Sequence, residues 1–418
     1  MPALRHDPYA ALRHADFRWF IIALTTMTVA VTMRGIVVGW QVYSVTHDPL
    51  SLGLIGLAEA LPFIASALFA GHVADRTDRR RITMLAMVVL LACAGGLLAL
   101  SGRGPLGRTD IRWFYLVIGV GGVARSFLMA ARTALAAELV PREHYGNASA
   151  WRTSSWQFAA VAGPACGGVI YGLAGPVAAY GTDLALMVVA VLAIAQVRPR
   201  GRPPEADVRE PLAQSLSGGI RFLRGQPVVL GAMTLDLFSV LFGGAVALLP
   251  VYAADILRVG PAGLGILRAA PAAGAVVTSL WLTHRPPFRR AGLAMLGNVA
   301  TFGLSVIAFG ISRNFALSAL FLAIYGGVDV VSVVIRATLV QEFTPHAVMG
   351  RVSAVNSIFI GSSNEIGAFE SGLAAKLMGT VPSVVFGGTV TLAVVALTAW
   401  RVPSLRRLRE IKAPAASS

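Results

Sequence analysis

Charge is what this chain has little of. Only 13% of its 418 residues are Asp, Glu, Lys or Arg, against roughly 25% in a soluble globular protein. With 56% hydrophobic residues beside that deficit, much of the surface must face lipid. Lysine is almost missing: Lys376 and Lys412 are the only two, and arginine supplies the remaining positive charge. Cysteine is limited to Cys93 and Cys166. Both fall in apolar runs without metal-ligand spacing, so buried, unpaired thiols are expected. Long polar stretches are absent too, which leaves no room for a soluble catalytic or signalling domain. No nucleophile elbow, HExxH or nucleotide-binding loop occurs, so no enzyme is expected. Residues 1–16 are mixed polar and charged and do not form a cleavable signal peptide.

What the chain does have is a succession of long apolar runs. Each is near the roughly 20 residues that a helix needs to cross a bilayer. They fall at 17–44, 51–71, 82–101, 111–137, 147–173, 176–197, 227–251, 262–283, 291–311, 315–341, 351–377 and 380–401. No alternating barrel pattern interrupts them. The expected architecture is all-α and polytopic, with twelve transmembrane helices.

The net charge of +15 is distributed as in a membrane protein. With the amino terminus inside, cytoplasmic segments hold Arg76, Arg79, Arg80 and Arg81, then Arg198, Arg200 and Arg202, then Arg285, Arg289 and Arg290, and finally Arg406, Arg407 and Arg409. Outside segments hold few, such as Arg103 and Arg258. That asymmetry places both termini in the cytoplasm and argues against a nucleic-acid partner.

The longest loop, 198–226, is rich in Arg and Pro and sits at the middle of the chain. It divides an amino-terminal bundle of six helices (1–197) from a carboxy-terminal one (227–402), with a cytoplasmic tail at 403–418. An internal repeat supports the division. Arg132, Glu138, Pro141, Gly146, Gly163 and Gly168 recur at one constant offset as Arg336, Glu342, Pro345, Gly350, Gly367 and Gly372. Two pseudo-symmetric six-helix bundles are a transporter architecture, with substrate near the midplane between repeats.

Two motifs and several longer strings carry a resemblance. The loop after span 2 reads Gly71-His72-Val73-Ala74-Asp75-Arg76-Thr77-Asp78-Arg79-Arg80-Arg81, and span 5 contains Gly163-Pro164-Ala165-Cys166-Gly167-Gly168. The first resembles the signature between the second and third helices of the major facilitator superfamily. The second is similar to the core of a motif in proton-coupled exporters of that superfamily, with Ala159 or Ala160 where the fuller motif has glycine. Residues 131–171 and 335–372, with Leu248-Leu249-Pro250-Val251-Tyr252-Ala253, resemble the superfamily branch of bacterial siderophore exporters. The resemblance implies an inner-membrane exporter of a siderophore or drug-like amphiphile. It would be driven by proton exchange through alternating access, without a cofactor, as a monomer whose partners are its small-molecule substrate, protons and the lipid bilayer. It also implies that Gly71, Asp75, Arg76, Arg79 and Arg80, with Gly163, Pro164, Gly167 and Gly168, act as a conformational gate. An importer, an uncoupled transporter or a transporter-like sensor are the alternatives.

Charges inside spans are functional candidates, because each costs about 2.5–3.5 kcal/mol at a helix centre on insertion scales. Counting rise along the helix puts Arg34 about 25 Å from the inner end of span 1 and Glu59 about 12 Å from the outer end of span 2. At that common depth the two could pair. Arg268, Asn364 and Glu365 lie on spans 8 and 11, and Arg125, Asp236 and Asp329 on spans 4, 7 and 10. Asp236 is the first choice for a proton carrier, with a permanent Asp236–Arg125 salt bridge as the competing account. Asp183 reads as structural, and Arg132 and Arg336 as gate or snorkelling residues. Trp151, Trp156 and Trp400 read as interface anchors.

Overall fold

The computed structural model describes residues 7–104, 107, 110–198, 212–285 and 288–409, apart from a few side chains inside helices. Among the described residues there is no strand. In hydrocarbon every backbone group must be satisfied within its own segment, and a helix does this for any apolar run.

The helices in chain order are α1 (Ala15–Thr46), α2 (Pro49–Arg76), α3 (Arg79–Ser101), α4 (Ile111–Glu138), α5 (Tyr145–Gln196), α6 (Leu212–Arg224) and α7 (Pro227–Phe242). A single turn follows as α8 (Leu249–Val251), then α9 (Gly260–Thr283), α10 (Ala291–Ile311), α11 (Phe315–Phe343), α12 (His346–Met378), α13 (Thr380–Arg401) and the short α14 (Pro403–Arg406). Ten of the described helical segments are long and apolar enough to cross a membrane. One of them contains all of α5, whose 52 residues are broken at Gly175, where φ is 78°. Only glycine adopts that conformation without steric cost, and Pro176 then starts the second segment with its fixed φ. The break falls between the two spans expected at 147–173 and 176–197. With α5 counted as two and the 33-residue α12 included, the helices accommodate twelve crossings.

Two expectations about helices need correction. The run 227–251 is not one helix: α7 stops at Phe242, and a 3-10 turn (Ala245–Leu248), α8 and a π turn (Tyr252–Ile256) follow. Gly243-Gly244 disfavours helix continuation, and Pro250 has no N–H to donate. The central loop is also partly helical, since α6 occupies Leu212–Arg224 and seats Leu223 among Val229, Met233, Val340 and Val352. Residues 199–211 of that linker and 410–418 of the tail lie outside the described residues.

The chain forms two compact units. The first comprises residues 1–46 and 58–208, and the second residues 47–57 and 209–418. In the first, α1 packs along α5 and α3 lies against α4 and α5, around a core that includes Phe17, Phe20, Met87, Leu135 and Met187. In the second, α11 packs on α9 and α10, and α10 on α13, around Leu235, Met295, Ile335, Leu339 and Leu405. Segment 47–57 belongs to the second unit, where Asp48 Oδ2 accepts from Lys376 Nζ at 2.9 Å. Cys93 is buried, whereas Cys166 is exposed, contrary to its expected burial.

Candidate functional site

The site is built from the charges that the helices carry into the membrane. In the first unit, Arg34 of α1 grips Asp183 in the second segment of α5. Its Nε donates to Asp183 Oδ2 at 2.8 Å, its Nη2 donates to Oδ1 at 3.0 Å, and Nη2 also reaches the Leu90 carbonyl at 3.2 Å. Both side chains are buried, at 11% and 1% exposure. A bidentate pair of this kind fixes geometry as well as charge. The expected Arg34–Glu59 pairing is therefore replaced. Depth along a helix brought Arg34 and Glu59 level, but depth does not set the direction in which a side chain points. Glu59 pairs instead with Arg125 of α4. This second pair is far more open, with the glutamate 26% and the arginine 39% exposed.

In the second unit, Asp236 of α7 pairs with Arg336 of α11. The side chains are 10% and 5% exposed, so Arg336 is a buried structural partner and not a snorkelling residue. Arg125, the expected partner of Asp236, is engaged by Glu59.

Asp329 has no ion-pair or hydrogen-bond partner among the described residues. It lines a small cavity with Asp236 and Ser239 of α7, Asn298 of α10 and Ser332 of α11. Asp329, Ser332 and Arg336 follow one another at i, i+3 and i+7, a spacing that places them on one face of a helix. Asp236 and Ser239 repeat the i, i+3 step on α7. Sequence reasoning weighed the charges but missed Ser239, Asn298 and Ser332, although this polar periodicity was the signal that would have found them.

The other candidates scatter. Arg268 Nη1 donates to the Val246 carbonyl at 3.3 Å. Asn364 is exposed on α12, and the side chain of Glu365 lies outside the described residues.

In the loop motif after α2, Asp78, Arg79 and Arg80 make the contacts among the described residues. The Asp75 side chain lies outside the described residues, and Arg76 is exposed. Asp78 caps α3, accepting from the backbone N–H of Arg80 at 2.9 Å and of Arg81 at 3.4 Å. Arg79 pairs with Glu138 near the end of α4. Arg80 Nη2 donates to the Ala195 carbonyl at 2.7 Å, where a cation meets the negative end of a helix. No atom lies within 4 Å of a Cβ built on Gly71.

The glycines of the α5 motif are packing positions. A Cβ on Gly163 would come within 2.0 Å of Thr32 Oγ1 and 2.8 Å of the Val29 carbonyl, and one on Gly167 within 2.8 Å of Met33 Cγ. Pro164 and Gly168 are buried beside them. Thr32 Oγ1 donates across to the Ala159 carbonyl at 3.1 Å. Gly367, the repeat partner of Gly163, plays the same part in the second unit, its Cβ position 2.7 Å from the Leu241 carbonyl. Trp151 donates to the Pro8 carbonyl at 3.1 Å and so holds the amino-terminal segment, besides any role at the interface.

Residues 6–417 match the family described as transmembrane secretion effectors. The enterobactin exporter EntS of Shigella flexneri is 27% identical over 397 residues, covering 95% of this chain and 94% of that protein. The enterobactin exporter of Escherichia coli O81 is 26% identical over the same length. Among solved structures, a bacterial homologue of the lysosomal transporter Spinster, in an inward-facing and occupied conformation, superposes with a TM-score of 0.73. It has 11% identity and covers 96% of this chain and 99% of its own. The xylose transporter XylE of E. coli gives 0.67 at 13% identity, covering 95% and 96%. These relatives are exporters and transporters, not enzymes.

Proposed function

The chain belongs to the transmembrane secretion effectors of the major facilitator superfamily, and from that premise we propose that this membrane transporter exports a siderophore or similar amphiphilic small molecule in exchange for protons, by alternating access. Full-length similarity to two enterobactin exporters supports the cargo class. Bacterial relatives and the placement of arginines support an inner-membrane location with both termini in the cytoplasm. The protein acts as a monomer in the bilayer.

The observation that carries the coupling is the difference in exposure among the ion pairs. Arg34–Asp183 and Arg336–Asp236 are buried, whereas Glu59–Arg125 is substantially open. An exchanged proton has to reach its carboxylate and break that carboxylate's hold on a cation. Glu59 meets both requirements: it is reachable, and taking the proton ends its charge pairing with Arg125. Asp236 gives up its place as first choice, because freeing it would strand Arg336 in the interior.

The test is Glu59→Gln in everted membrane vesicles and in proteoliposomes with enterobactin as probe. Transport driven by a pH gradient is lost, while cargo-for-cargo exchange, which moves no net proton, is retained. Unchanged gradient-driven transport in Glu59→Gln would remove Glu59 from the mechanism.

A further inference from the structure

The cavity beside Asp329 lies wholly in the second unit and has no part in the coupling just described. Its volume is about 10 Å³, near the lower limit of roughly 10–15 Å³ needed for one water-sized particle. Its polar walls present acceptor oxygens. Asn298 Nδ2 donates to the Ala294 carbonyl at 2.7 Å, which leaves Oδ1 as an acceptor. Ser239 Oγ likewise spends its hydrogen on the Leu235 carbonyl at 2.6 Å, leaving lone pairs. Ser332 is only 3% exposed, and its Oγ finds no hydrogen-bond partner among the described residues. A buried hydroxyl without a partner is uncommon and points to a ligand.

The charge count agrees. Asp236 is neutralised by Arg336, and the carboxylate of Asp329 is left over. Arg268 on the neighbouring α9 does not line the cavity, and its Nη1 donates to the Val246 carbonyl. Tyr325, one turn before Asp329, stacks on Phe302 with ring centroids 4.3 Å apart. No titratable side chain of α10 lines the cavity. One negative charge thus faces a pocket of neutral oxygens.

The geometry points to a binding site for one dehydrated monovalent cation, Na⁺, held by the Asp329 carboxylate with Asn298 Oδ1, Ser239 Oγ and Ser332 Oγ. Hard oxygen donors select hard cations over transition metals. A single carboxylate matches one positive charge, and the high field of a carboxylate oxygen favours the smaller Na⁺ over K⁺. Among the described residues, no cluster of three His, Cys, Asp or Glu offers a competing metal site. The site lies in the second unit and Glu59 in the first, so the two proposals fail separately.

Thermal unfolding of the purified full-length protein tests it at fixed pH and ionic strength, in NaCl, KCl or choline chloride, together with equilibrium binding of radioactive sodium. A ligand of the native state raises the melting temperature in step with its concentration. The expected result is a rise in NaCl alone, with one sodium bound per chain. Ser332→Ala should weaken sodium binding about tenfold while keeping the melting temperature seen in choline. Asp329→Asn should abolish sodium binding, and if that variant folds poorly, Ser332→Ala decides alone. Equal melting in all three salts with no bound sodium would overturn the site. So would sodium binding that survives both substitutions.

Discussion

Three pairs of positions 204 residues apart (32 and 236, 125 and 329, 132 and 336) are occupied differently in the two units. The first carries Thr32, Arg125 and Arg132; the second carries Asp236, Asp329 and Arg336. Arg336 has its acid one helix away in Asp236 and is buried with it. Arg132 has no acid partner among the described residues, and its charged neighbours are two more arginines, Arg152 and Arg125. At the middle position the first unit has a cation matched by Glu59, and the second an acid with no cation partner among the described residues. Close-packed glycines persist in both units while the charges diverge. The scaffold therefore needs the small residues, and the charges are where the halves specialise.

The sharpest way to break this comparison is to remove the matched arginines one at a time. Arg336→Gln leaves Asp236 buried and unpaired, which costs about 3–5 kcal/mol for such pairs, so little folded protein should survive size-exclusion chromatography. Adding Asp236→Asn should restore most of it. Arg132→Gln strands no acid among the described residues and should cost far less, about 1 kcal/mol or under. Equal losses from the two arginine substitutions would end the distinction.

Next in size is packing. Gly163→Val drives a side chain into Thr32 and the α1 backbone, and overpacking of this kind costs about 1–3 kcal/mol. Gly71→Ala meets nothing within 4 Å and should leave the melting temperature unchanged. Any loss of transport in that variant would then be a gating effect. The smallest effect is expected at Lys376→Ala, whose ion pair with Asp48 is 48% and 35% exposed. Such pairs are worth about 0–1 kcal/mol, and a large fall in stability would mean that segment 47–57 depends on this contact.

The spans and the repeat were legible because hydropathy and Gly, Pro and Arg spacing are properties of the chain itself. The ion pairs were not. Counting 1.5 Å per residue gives a charge its depth but not its azimuth, so Arg34 was matched to Glu59 when Asp183 faces it. The Arg336–Asp236 pair was hidden by a count that set Arg336 near a helix end and so made it a snorkelling candidate. Helix α6 was obscured by the Arg- and Pro-rich residues before it, although Leu212, Leu216, Ile220 and Leu223 already carry a helical period. Ser332 and Asn298 looked unremarkable because a lone polar residue in a span becomes informative only once its neighbours are known.

The central claim is that a proton gradient drives export by this chain. The direct measurement is made in proteoliposomes holding enterobactin at equal concentration on both sides, with an imposed pH gradient and an internal pH dye. The account predicts uphill movement of cargo opposite to the proton flux, reported by the dye and abolished by a protonophore. Cargo that only equilibrates, with no proton movement in either direction, would contradict it.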